Sequence, residues 1–146
     1  MHVQFALFAD AANVSQEGKL NILGVFDALH VGQLPSLHPR ATFVVRLKAV
    51  TEDRGSHGVG LEWTNPGGEV LWSSRGELVV GEAPDGAEGI DVPLLAVLDL
   101  PLDTPGIYTM LVSIDDVEAS RTALHVNQVL ETMLPLAPGA PAGLLS

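Results

Sequence analysis

Asp103-Thr104-Pro105-Gly106-Ile107-Tyr108-Thr109-Met110-Leu111-Val112-Ser113-Ile114-Asp115-Asp116 packs a turn, a strand and a second turn into one stretch. In Pro105-Gly106 the proline presets φ and the glycine accepts positive φ without strain. Tyr108, Met110, Val112 and Ile114 then recur at every second position. Successive side chains of an extended chain point to opposite faces, so this period marks a half-buried strand. Asp115-Asp116 ends the run as a two-residue hairpin turn, because Asp enters the left-handed region more readily than most residues. A tyrosine that opens a late strand just after a turn is a feature of immunoglobulin-like sandwiches, where its hydroxyl bonds back to that turn. Met110 stands two residues on, at the inward position where antibody domains carry cysteine.

The same period runs along most of the chain. Ala41, Phe43, Val45, Leu47 and Ala49 alternate with Thr42, Val44, Arg46 and Lys48, and Val59, Leu61 and Trp63 alternate with Gly60, Glu62 and Thr64. Val70 to Val80 and Ile90 to Leu100 repeat the pattern. Asn65-Pro66-Gly67-Gly68 and Ala83-Pro84-Asp85-Gly86 separate these runs with turn residues. With 2–9, 20–31 and a last strand near 117–126, the pattern predicts an all-β, immunoglobulin-like or Greek-key antiparallel β-sandwich of about eight strands.

Two runs are apolar on both faces. Within 20–31, Leu20, Ile22 and Phe26 share one face while Leu23, Val25, Leu29 and Val31 share the other; within 90–100, Leu95 and Val97 oppose Leu94, Ala96 and Leu98. A bulge at Gly24 would switch faces in the first run, and Pro93 points to an edge or a bulge in the second. The alternative is that another subunit or the tail covers both sides.

The 146 residues include seven Lys+Arg against eighteen Asp+Glu, a net charge of −11, with no cysteine and 47% hydrophobic residues. This length suits one domain with a single core. Scattered cations on an acidic chain exclude phosphate-backbone binding and docking on anionic lipid, so neither nucleic acid nor membrane is an expected partner. No apolar run reaches the ~18 residues of a membrane helix. The short run Phe5–Ala11 lacks the basic start of a secretory signal, the first cation being Lys19, which makes the expected compartment cytoplasmic.

Chemistry-bearing patterns are sparse. His2, His30, His38, His57 and His125 show no metal-ligand spacing, and Ser56-His57 lacks the strand–turn–helix setting of a hydrolase nucleophile, which leaves His57 as a loop histidine. Asp85, Glu88 and Asp91, and likewise Asp115, Asp116 and Glu118, gather acids in sequence without calcium-loop spacing. Trp63 and Trp72 fall on the apolar faces of their strands and are expected in the core. Hence no catalytic, cofactor-binding or metal-ligating residue is assigned, and the protein is not expected to be an enzyme.

After a sandwich domain at 1–129 comes an apolar, Pro/Leu-rich arm at 130–146, whose only charge is Glu131. Leu130, Met133, Leu134, Leu136, Leu144 and Leu145 make it too greasy for a solvated tail, at roughly 25 cal/mol per Å² of exposed apolar surface. These six are the candidate interface residues. Val126, Val129, Leu130, Met133 and Leu134 also follow the spacing of a short helix ending before Pro135.

Phe5 to Gln16, which contains Ala9-Asp10-Ala11-Ala12-Asn13-Val14-Ser15-Gln16, and Gly18-Lys19-Leu20-Asn21-Ile22-Leu23-Gly24-Val25-Phe26-Asp27 together resemble the opening of a bacterial family of small uncharacterised all-β proteins. Pro105-Gly106-Ile107-Tyr108 and the acidic turn Asp115-Asp116 match the family's closing pattern. The resemblance implies a β-sandwich and brings no activity, cofactor or catalytic residue. The expected function is a non-enzymatic interaction or structural module that self-associates as a homo-oligomer, or binds another protein, through apolar strand faces, a sheet edge and the arm. The alternative is a domain that binds a small ligand, sugar or calcium through loops 10–18 and 81–91.

Overall fold

The computed structural model describes residues 1–129. Two sheets face each other. One has four strands in the order β2-β1-β4-β7, built from β1 (His2–Val14), β2 (Leu20–Phe26), β4 (Ser36–Ala49) and β7 (Ile90–Leu102). The other has five in the order β3-β9-β8-β5-β6, built from β3 (Ala28–Val31), β5 (Gly55–Thr64), β6 (Val70–Val80), β8 (Gly106–Ile114) and β9 (Val117–Gln128). The described residues thus form nine strands and one 3-10 turn at Thr51–Asp53, against about eight expected. The extra strand arises because 20–31 is two strands, broken at Asp27, that belong to different sheets.

The core lies between the sheets. Trp63 and Tyr108 are fully buried and stack at 5.2 Å, with Phe8 edge-on to Trp63 at 5.8 Å. The Trp63 indole N–H donates to the Pro101 carbonyl at 2.9 Å, so the ring also ties β5 to β7 across the core. The Tyr108 hydroxyl accepts the backbone N–H groups of Asp103 (2.9 Å) and Thr104 (3.0 Å) and donates toward the Thr104 carbonyl at 2.6 Å. This is the tyrosine-to-turn bond that the sequence predicts. Asn65 extends the network by donating to the Asp103 carboxylate at 2.8 Å and accepting the Glu69 N–H at 2.8 Å. It thereby fixes the β5–β6 turn against the β7–β8 turn.

Gly24 is not a bulge. The β1–β2 register runs unshifted on either side of it, from Phe8↔Phe26 to Ala11↔Leu23. Glycine is needed because φ is +72° and a Cβ there would lie 2.3 Å from an Asp10 carboxylate oxygen. The two-sided pattern of 20–31 has another cause. Phe26 packs on the core from one sheet, and Leu29 and Val31 pack on it from the other, so the inward parity changes where the chain changes sheet. Pro93 marks an edge: it pairs in register with Arg46, and β7 is the outermost strand of its sheet.

Asp115 and Asp116 take φ of +51° and +64°, as a two-residue hairpin turn requires. At the opposite flank β3 runs parallel to β9, from Ala28↔His125 to Val31↔Gln128, and the Val129 N–H donates to the Val31 carbonyl at 2.8 Å. Val126 is buried inside β9, so the helical spacing that starts there does not begin a helix.

Candidate self-association surface

In an antiparallel sheet, residues directly opposite each other share a face. On the four-stranded sheet the outward rows follow from the register. One row is Val25–Ala9–Thr42–Val97, the next is Leu7–Val44–Leu95, and Ala11–Leu23 extends the first side. Val44 and Ala9 on this side are wholly buried, apart from the core cluster between the sheets. Leu23, Val25 and Val97 stand 72%, 60% and 60% exposed, and Leu95 37%. The charges of this face lie at its ends. Asp91 holds Arg46 at 2.5 Å and Lys48 at 2.8 Å, while Asp99 accepts the Arg40 N–H at 3.0 Å.

The outward face of the five-stranded sheet is built otherwise. Its rows read Ser73–Glu62–Leu111–Arg121 and Arg75–Gly60–Ser113, with charge or hydroxyl at most positions. One outer face thus carries charge or hydroxyl across its middle, while the other carries apolar rows whose exposed members stand on its two outer strands.

A second cluster joins residues far apart in sequence. His57 is not in a loop; it lies in β5, with Nδ1 2.6 Å from the Asp115 carboxylate and Nε2 2.5 Å from the Asp53 carbonyl oxygen. Both partners are acceptors, so both ring nitrogens must donate, and that is the imidazolium form. The bond to Asp115, then that to Asp53, raises the His57 pKa above its ordinary value. Asp115 is lowered in turn by His57 and by the Gly58 N–H, which donates to it at 2.9 Å. Asp53 is lowered by the Val50 N–H first and then by the Met1 amine. Ser56 does not engage His57, because its hydroxyl bonds Glu77 on the other face of β5. The arrangement ties the β8–β9 turn to β5 and to the 3-10 turn, and it contains no nucleophile.

Of the six acids singled out by sequence, Asp115 takes His57 and three others take cations on different strands. Asp91 takes Arg46 and Lys48, Asp116 takes Arg75 at 3.0 Å, and Glu118 takes Arg121. Among the described residues no three His, Asp or Glu side chains stand where one ion could hold them. The two candidate loops are shorter than expected. Residues 10–14 belong to β1 and 90–91 to β7, so only 15–19 and 81–89 remain. The first is a closed turn in which Ser15 accepts the Lys19 N–H at 3.1 Å, while Asn13 bonds Asn21 across the strand pair instead of the turn.

Residues 4–127 match a family described as being of unknown function, DUF6941. The chain belongs to that family. An immunoglobulin-like protein from Pseudomonas aeruginosa, known from its crystal structure, is similar at 13% identity over 86% of this chain and 95% of that one, with a TM-score of 0.34. No curated protein matches the chain. In this family member, no helix among the described residues is long and apolar enough to cross a membrane. The six candidate arm residues, Leu130, Met133, Leu134, Leu136, Leu144 and Leu145, lie outside the described residues.

Proposed function

We propose that this chain is a non-enzymatic β-sandwich module that associates with further copies of itself through the outer face of its four-stranded sheet, with the arm at 130–146 adding to the contact. The observation that carries this reading is the pair of apolar rows through Ala9 and Val44, open to solvent at Leu23, Val25, Leu95 and Val97. A second copy suits the face because the chain carries −11. Like-charged molecules approach most closely where the surface is neutral, and here Arg46 and Lys48 offset Asp91 and Asp99.

Covering the four exposed side chains contributes roughly 0.5–2 kcal/mol each, in proportion to exposure, given that full burial of Leu or Val is worth about 1.5–3. Two copies therefore gain roughly 7–14 kcal/mol, against about 4–15 kcal/mol of lost freedom on association. The face alone supports a modest affinity, and an apolar arm supplies what is missing.

The test is absolute mass by light scattering after size exclusion, on three full-length chains. The unmodified chain should run at twice its monomer mass or more. The pair Leu23→Ser/Val25→Ser and the triple Leu130→Ser/Met133→Ser/Leu134→Ser should each fall toward monomer. A monomeric unmodified chain at high concentration would overturn the proposal.

A further inference from the structure

Of the four edge strands among the described residues, β7 is the one with a long apolar centre, bounded by Pro93 and Pro101. β3 is short, Gly24 takes β2 into positive φ, and β6 carries Ser73-Ser74-Arg75-Gly76-Glu77 along its middle. Natural edges are blunted by such charges, kinks and brevity, because an open row of N–H and C=O groups recruits another strand. β7 runs from Ile90 to Leu102, and its centre, Leu94-Leu95-Ala96-Val97-Leu98, has neither charge nor proline.

We infer that β7 pairs antiparallel with β7 of a second copy, about a two-fold axis through Ala96, joining the two four-stranded sheets into one. This rests on the reading that copies of the chain associate, and it adds to the face contact of that reading a second contact, made at a sheet edge. The strand is self-complementary in this register. Leu94 comes opposite Leu98, Leu95 opposite Val97 and Val92 opposite Leu100, so each central pair is apolar. The acids escape one another, because Asp91 meets Pro101 and Asp99 meets Pro93. For two chains of −11 each, that avoids the repulsion that another register would place across the axis.

The prolines bound this register: Pro93 and Pro101 stand at its two ends, and each leaves one bond to the second copy unmade. An edge strand tolerates proline where the missing N–H would face away from the sheet. Pro93 and Pro101 share the parity of Leu95, Val97 and Asp99, which turns the N–H groups of those three toward the open side. In the paired register Leu95 and Val97 then exchange hydrogen bonds with their counterparts, while Ala96 faces Ala96 in a pair without them. Pairing also makes the outward rows through Leu95 and Val97 continuous with those of the second copy.

Between β6 and β7 the sandwich opens into a cleft of about 210 Å³ lined by Phe43, Val45, Leu61, Gly76, Leu94 and Ala96. Sites for small ligands usually run to about 300–1,000 Å³. This cleft is nearer the size of a side chain or two than of such a ligand.

The chain has no cysteine, so Ala96→Cys gives a clean probe. In an antiparallel pair without mutual hydrogen bonds the Cα atoms are about 4.5 Å apart, within the roughly 4.4–6.8 Å that a disulfide spans. Mild oxidation should convert the full-length Ala96→Cys chain to a covalent dimer, while a Glu17→Cys control in the exposed β1–β2 turn stays uncrosslinked. Hydrogen exchange on the unmodified chain gives a reading free of substitution. The Leu95 and Val97 amides should slow by about an order of magnitude or more as concentration crosses the association range, because pairing takes them out of water. If the chain associates but the Ala96→Cys variant does not cross-link and those amides exchange freely, edge pairing is wrong and the broader proposal survives. If the unmodified chain is monomeric throughout, both fail.

Discussion

Tyr108 accepts two backbone N–H groups of the preceding turn, those of Asp103 and Thr104. Tyr108→Phe keeps the ring against Trp63 but strands both donors, and a buried polar group left unpaired costs about 1–3 kcal/mol. Urea unfolding should show a loss of that size with an unchanged m-value. His57 sets a pH dependence. Its folded pKa is raised, so its contribution is complete below the ordinary histidine value near 6.5 and is lost as pH rises through the folded value. Asp53 and Asp115 are lowered, so their contributions hold above the ordinary aspartate range and vanish only in acid. Melting temperature should therefore fall between about pH 6 and the alkaline side of neutrality, and His57→Gln should flatten that slope; an unchanged slope would remove His57 from the account. Tyr108 is legible in sequence because its turn is four residues away. The His57–Asp115 pair is not, since the two are 58 residues apart and only the β5–β8 pairing brings them together.

At the scale of strands, the informative signal is a broken rule. Alternation locates most strands, and the two runs that fail it, 20–31 and 90–100, supply β2 and β7, the outer strands of one sheet. Periodicity cannot separate a bulge from a change of sheet, because both switch the inward parity. That distinction depends on which strand lies beside Leu29, and the neighbour is β9, the last strand among the described residues. The exposure of Leu23 and Val25 predicts a separation of effects. Leu23→Ser/Val25→Ser removes side chains that touch water in the isolated domain, so at dilution its stability in urea should stay within about 0.5 kcal/mol of the parent. Its tendency to associate should drop. A large loss of stability at dilution would mean that these residues serve their own fold instead of a contact.

For the molecule as a whole, composition and architecture pull in opposite directions. A charge of −11 keeps copies apart, while one outer face invites them together. The balance is set by screening, whose range falls from ~30 Å at 0.01 M salt to ~8 Å at 0.15 M. Mass measured at fixed protein concentration should accordingly rise with added salt; a fall would mean that the contact is made by ion pairs. Both the acidity and the greasy arm are plain in the sequence, but not which face is bare, since that requires knowing which of two sheets each alternating strand joins.

The parallel pairing of β3 with β9 bears on a different property. Whatever is attached beyond Val129 is tethered through β9, and a pull along that strand loads its pairing with both neighbours. The bonds from β9 to β3 on one side and to β8 on the other would then be strained together, in shear, instead of opening one after another from the end. Such a join resists tension better than its few bonds suggest, so the exit of the chain is also its mechanical anchor.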